Sequence, residues 1–229
     1  RASILTGQTP ARNGITDPVC HLKDVRLEPS VLEKAPSSDK AIACESATRL
    51  NTELPTLVKL IHSHGYATAH FGKWHLGHLP QFLPTSQGFD TYFGIPYSND
   101  MQYVGRPSVE DLFKLQQEGK NAELRAIFAD FLKSFEAPDY SDYHVPLWRS
   151  ECTAQGCTDQ LLEQPTVQTT LTARLTKEAV RFVTTQADQP FFLYLPYTMP
   201  HLPIFADEAF QGRSLGGPYG GDDNRYSQT

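Results

Sequence analysis

The sequence predicts an α/β fold: a mainly parallel sheet between helices, incomplete at both ends. Three observations lead there. Residues 54–65 carry a helical apolar stripe and run directly into the alternating segment "YATAHF" at 66–71. Residues 169–186 carry a second helical stripe and run into the continuous apolar segment "FFLYL" at 191–195. Both predicted strands are followed by a loop that carries a histidine. Helices alternating with strands build a parallel sheet covered by helices, and ligands of such sheets gather beyond the carboxyl ends of the strands.

Taken in order, "RASILTG" at 1–7 reads as a helix stopped by Gly7. Its abrupt start, with no initiator Met, is expected of a piece cut from a longer protein. Residues 8–50 are mixed and polar, with "EKAPSSDK" as a surface loop. Pro55 suits a first helical turn, Leu57, Val58, Leu60 and Ile61 form the stripe, and Gly65 ends the helix. In the strand that follows, Tyr66, Thr68 and His70 share one face. Ala67, Ala69 and Phe71 share the other, a small apolar face suited to close packing against a helix. Residues 79–160 read as loop-rich, with a helix over 108–135 broken at Gly119. In the helix at 169–186, Leu171, Leu175, Ala179, Phe182 and Val183 fall on one side. The run 191–195 then suits a strand buried on both faces.

The chain has 229 residues, 39% hydrophobic and 20% charged, which suits one large domain with a real core. Its net charge is −6 and no basic stripe is visible, which excludes a nucleic-acid binder. No apolar run is long enough to cross a membrane. An anionic substrate would need a local cationic cluster working against the global field. The four cysteines, Cys20, Cys44, Cys152 and Cys157, contain no CxxC pair, so a zinc ribbon is not expected. Cys152 with Cys157, and Cys20 with Cys44, can form disulfides; four free thiols are the alternative. No Asn-x-Ser/Thr sequon occurs, which favours a bacterial source.

The chemistry concentrates at two predicted strand ends, "GKWHLGH" at 72–78 and "YTMPHLP" at 197–203. Lys73 offers a compact cation with three donors. In an extended chain His75 would point the same way, able to move a proton beside a bound anion, while Trp74 faces the core. His201 sits between Pro200 and Pro203, which restrain its backbone. His62, His64 and His78 read as surface residues without a role.

These segments together resemble the sulfatase family. "GYATAHFGKWHLG" is similar to the family's Gly-Tyr-x-Thr followed by Gly-Lys-Trp-His. "RASILTGQTPARNGI" is similar to the end of its first signature, Cys/Ser-x-Pro-Ser-Arg followed by a helix and Thr-Gly. "GFDTYFGIPYSND" and "QPFFLYLPYTMPHLP" resemble two further segments in the right order. The resemblance spans nearly the whole chain. It implies an alkaline-phosphatase-like fold, with residues 1–229 as the central part of a single catalytic domain.

The resemblance also implies roles. The lysine matching Lys73 holds a sulfate oxygen, and the histidine matching His75 contacts the nucleophile. The histidine matching His201 binds sulfate and protonates the leaving oxygen, and the arginine matching Arg1 fixes the nucleophile beside a metal. Ser98 matches, more loosely, a polar position near the substrate. The family nucleophile is a formylglycine made from a Cys or Ser four residues before that arginine, and the divalent cation is usually calcium. That nucleophile and the family's metal-binding Asp and Asp-Asn pairs have no match here; Asp223-Asn224 is not assigned to metal. Residues 1–229 alone are therefore expected to be inactive.

The implied substrate of the whole protein is a small-molecule or carbohydrate sulfate ester, and the favoured location is periplasmic or secreted in a bacterium rather than lysosomal. Alternatives are a phosphatase, phosphodiesterase or phosphonate hydrolase on the same fold, or a non-catalytic anion-binding homologue.

Overall fold

The structure, a computed structural model, describes residues 1–16, 49–105, 107, 109–135, 138–211 and 213. Cys20, Cys44, the 33–40 loop and Asp223-Asn224 lie outside the described residues. The elements are α1 (Ala2–Thr6), α2 (Pro10–Asn13), α3 (Leu57–Ser63), β1 (Ala67–Phe71), β2 (Thr91–Gly94), α4 (Val109–Gln117), α5 (Asn121–Lys133), β3 (Leu147–Thr153), β4 (Gly156–Glu163), α6 (Leu171–Thr185) and β5 (Phe191–Tyr194).

The five strands form one mixed sheet in the order β4-β3-β2-β1-β5. β1 pairs in parallel with both β2 and β5, opposing Ala69 to Thr91 and His70 to Tyr194. The β3–β4 hairpin extends the sheet antiparallel beside β2. The α/β expectation holds, with three parallel strands at the site end and an antiparallel addition.

Each face of the sheet is covered as the residue pattern requires. Ala69 and Phe71 pack with Phe93, Leu171, Leu175 and Ala179, so α6 lies against the small apolar face of β1. The other face buries Trp74, Phe89 and Tyr92 with Ala2 and Leu5 of α1 and Val58 of α3. Thr68 and His70 on this face are also fully buried. Thr68 is satisfied by Asp90, at 2.8 Å from both its amide and its hydroxyl. His70 is ringed edge-on by Trp74, Phe89, Tyr92 and Tyr194, with centroids 5.3–5.4 Å away. Burial, then the charge of Arg1, lowers its pKa to about 3, so the ring stays neutral.

Several expectations are corrected. α3 starts at Leu57, because Thr56 takes the cap position and accepts a hydrogen bond from the Lys59 amide. Pro55 therefore precedes the helix. The break at Gly119 is real, with φ 69° between α4 and α5. Two strands, β2 and β3, and most of a third, β4, lie in the stretch read as loop-rich. Cys152 and Cys157 face each other across the β3–β4 hairpin and form a disulfide. Two ion pairs fasten this hairpin to α6: Arg149–Glu178 at 2.7 Å and Arg174–Glu163 at 2.6 Å.

The run at 191–195 is not buried on both faces. β5 is an outer strand of this sheet, its residues are half-buried or exposed, and Phe191 is 36% exposed. Val183, expected on the covered side of α6, is likewise exposed. His62 is a surface residue as expected, and it contacts Asp90 at 2.9 Å.

Candidate active site

The site begins where β1 ends. Gly72 has φ 137°, and a Cβ there would lie 2.2 Å from the Pro196 carbonyl oxygen. Gly94 ends β2, and a Cβ there would lie 1.9 Å from the Gly72 carbonyl oxygen. Two glycines thus let three chain segments meet with backbone against backbone. Past the strand end the backbone bonds continue. Gly72 N–H donates to Phe93 O, Lys73 N–H to Pro196 O, Trp74 N–H to Ile95 O and His75 N–H to Pro96 O, all at 2.9–3.0 Å. Trp74 is fully buried and its Nε1–H donates to Phe82 O at 2.8 Å, so the loop is anchored as the sequence predicts.

Lys73 is therefore held by its neighbours on both sides. It is 5% exposed, and its Nζ donates to Ser98 Oγ at 2.9 Å. Burial, then the nearby positive charge of Arg1, lowers its pKa to about 8; Asp100 partly opposes this. Ser98 Oγ lies 3.2 Å from His201 Nε2. His201 Nδ1 lies 2.6 Å from the Leu202 carbonyl oxygen. Ser98 Oγ is also 3.4 Å from Nδ1, so it lies against the edge of the ring between the two nitrogens. A carbonyl only accepts, so Nδ1 carries the proton directed at Leu202 O. Asp100 Oδ1 stands 3.9 Å from His201 Nδ1. Lys73 and Ser98 form a buried floor, with His201 at the more exposed rim.

The structure thus brings together Lys73, Ser98 and His201; Ser98 lies 25 residues from Lys73 and 103 from His201 along the chain. Arg1, at the start of α1, lies close enough for its charge to act on Lys73 and on the Tyr194 hydroxyl of β5. His75 departs from the sequence reading. It has φ 61°, a left-handed turn, so the extended alternation that would align it with Lys73 stops at Trp74.

Sequence reasoning missed Asn99, Asp100 and Tyr194. The first two follow Ser98 in the "SND" turn, where no periodic pattern signals burial. Asn99 is nevertheless fully buried, and its Nδ2 donates to Pro203 O at 2.8 Å and to His201 O at 3.3 Å. Tyr194 was visible only as part of an apolar run.

The arrangement suits a small tetrahedral oxyanion: two cations, a hydroxyl and an imidazole able to give a proton. Among the described residues no group of three or more His, Cys, Asp or Glu could hold a metal ion. They do not fit the calcium site that the resemblance implies. Among the same residues no helix is long and apolar enough to cross a membrane.

Known proteins resemble this chain over most of its length. The family model described as Sulfatase matches residues 1–228. Mouse N-acetylgalactosamine-6-sulfatase is 29% identical over 224 residues, covering 96% of this chain and 34% of that protein. Rat arylsulfatase G is 30% identical over 209 residues, covering 89% and 32%. The chain therefore spans about a third of the length of these relatives. The crystal structure of the PsFucS1 sulfatase from Pseudoalteromonas sp. superposes with a TM-score of 0.58 at 21% identity, covering 99% of this chain and 38% of that one. That likeness shows the fold, an alkaline-phosphatase-like α/β arrangement. With the family match running over residues 1–228, the chain belongs to the sulfatase family.

Proposed function

We propose that the protein containing this chain hydrolyses sulfate esters of small molecules or carbohydrates, and that residues 1–229 form the central part of its catalytic domain. The observation that carries the reading is the Lys73–Ser98–His201 cluster at the shared end of parallel strands. In this reading Lys73, with Arg1 nearby, holds the sulfate oxygens as negative charge shifts during S–O cleavage. Ser98 accepts from Lys73 and orients the anion against His201. His201 acts as the imidazolium: its Nε2–H goes to the leaving oxygen and the ring is left as the neutral Nδ1–H tautomer, held on the Leu202 carbonyl. His75 lies on the same loop as Lys73 and completes the proposed set towards the nucleophile. The formylglycine nucleophile is proposed to lie outside the described residues.

The test is a paired assay of the full-length protein on 4-nitrophenyl sulfate and 4-nitrophenyl phosphate. Sulfate hydrolysis should dominate in kcat/KM. A preference for the phosphate would put the protein among the phosphatases of this fold, and no turnover of either with intact binding would make it an anion-binding homologue.

The pH dependence follows from Lys73. It holds an anion only as the ammonium, and kcat/KM reports groups of the free enzyme. With a pKa of about 8, the active fraction falls as pH rises through that value. The kcat/KM for an aryl sulfate should therefore decline by about tenfold per pH unit above it. A profile still flat at about pH 10, near the ordinary lysine value, would show that Lys73 stays charged or is not needed.

A further inference from the structure

Three consecutive carbonyls, those of His201, Leu202 and Pro203, form the turn that carries the imidazole. The middle one, Leu202 O, accepts from the ring's own Nδ1. The outer two, His201 O and Pro203 O, accept from the side-chain amide of Asn99. The direction of the Leu202 carbonyl sets the ring, and the carbonyls either side of it are gripped by one buried side chain. Asn99 is itself held, because its backbone carbonyl accepts from Gln168 Nε2 at 3.1 Å, and Gln168 is fully buried just before α6. Its covalent neighbour Ser98 sets its Oγ against the ring, 3.2 Å from Nε2 and 3.4 Å from Nδ1. Asn99 thus braces the turn that supplies the acceptor for Nδ1–H and adjoins the serine that lies against the ring.

We propose that Asn99 is a positioning residue for His201: it holds the imidazole so that Nε2 is presented to the leaving oxygen of the sulfate ester. This rests on the proposed function, in which His201 donates that proton. Asn99 touches no substrate atom in this reading. It acts through the geometry of the 201–203 turn, clamping the loop after β5 to the loop after β2. A loop that only needed packing would be served by an apolar side chain. Here a buried amide directs its donors to the two carbonyls flanking the turn. Misplacing a reacting group by about 1 Å can cost up to roughly a hundredfold in rate, so a partly loosened ring should show clearly in kinetics.

The experiment uses the full-length protein with Asn99→Ala, His201→Ala and the double variant. Each is assayed on 4-nitrophenyl sulfate, whose leaving group needs little protonation, and on phenyl sulfate, whose leaving group needs more. Asn99→Ala should lower kcat on phenyl sulfate about tenfold, with a much smaller loss on 4-nitrophenyl sulfate and little change in KM. In the His201→Ala background it should cost nothing further, since no ring remains to position. An equal loss on both substrates, or a full loss persisting without His201, would overturn the proposal and leave Asn99 a purely structural residue. If Asn99→Ala does not fold, Gln168→Ala loosens the same clamp from behind. It should give the same substrate-selective pattern, and an equal loss on both substrates would overturn the proposal there too. The single His201→Ala variant separates this inference from the reading beneath it. If that variant shows no leaving-group dependence, the acid role of His201 falls and the inference with it. If it shows the dependence and Asn99→Ala does not, only the inference falls.

Discussion

Replacing Lys73 by alanine in the full-length protein should lower kcat on an aryl sulfate by roughly 10²- to 10³-fold, the usual effect of removing one preorganised donor to developing negative charge. Such a donor is worth most where water is excluded, and Lys73 is almost wholly buried. The loss should not come from unfolding. The backbone of residues 72–75 is bonded to both neighbouring segments, and Trp74 is anchored independently of the lysine. Stability should instead hold or rise, for a reason with a definite sign. The folded-state pKa of Lys73 is depressed to about 8, so folding opposes the charged form. That penalty is fully present below about pH 8 and fades as pH rises towards the unfolded-chain value. Lys73→Ala and Lys73→Met should both melt at or above the wild-type temperature at neutral pH while losing turnover, the pattern of a residue kept for function against stability. Turnover within threefold of wild type in either folded variant would remove Lys73 from the site.

The second large effect should come from a methyl group. Gly94→Ala places a Cβ 1.9 Å from the Gly72 carbonyl oxygen and 2.7 Å from its carbon. Both are main-chain atoms, so nothing can rotate aside. Relief requires β1 and β2 to separate at the point where the Gly72 amide bonds Phe93 O. Gly72 cannot retreat either, because the Pro196 carbonyl lies against its other side. Overpacking usually costs about 1–3 kcal/mol; with backbone on both sides, Gly94→Ala should exceed about 4 kcal/mol, the range reached only by a few mechanisms. The denaturant midpoint of the full-length variant, or its loss from the soluble fraction, measures this. A change under about 1 kcal/mol would mean that the strand ends are more loosely packed than this geometry requires.

The parts of the fold legible in the sequence were those with a strong period. α6 shows its 3.6-residue stripe, and β1 alternates with alanines on the face that meets α6. β2 is only four residues long, too short to establish a period. β4 is largely exposed on both faces, so it never alternates, and its turn "TAQG" lacks the usual hairpin dipeptides. The β5 misreading has a different cause. An apolar run records how much covering a strand needs, not which elements supply it.

Lys73 and His201 were legible because side chains after parallel strands share one edge. The loop direction at His75 was not, since a left-handed turn at a non-glycine residue leaves no trace in a pattern of apolar positions. Asn99 was hidden for a related reason. Its partners lie 102 and 104 residues away, and a buried amide looks like any loop asparagine until both loops are placed.

The ladder running past the end of β1 has a consequence for motion. Amides 72 to 75 donate to carbonyls on both flanking segments, so the segment bearing Lys73 belongs to the same cooperative unit as the central strand. Elements tied in this way open only with a large part of the molecule, at a free-energy cost near that of global unfolding. The floor of the site is therefore a fixed anvil, the part least able to open locally. In the proposed reaction, breathing that admits a bulky ester and releases its alcohol would come from the rim, where the turn carrying His201 is held by side-chain contacts and short loop bonds rather than by a strand ladder.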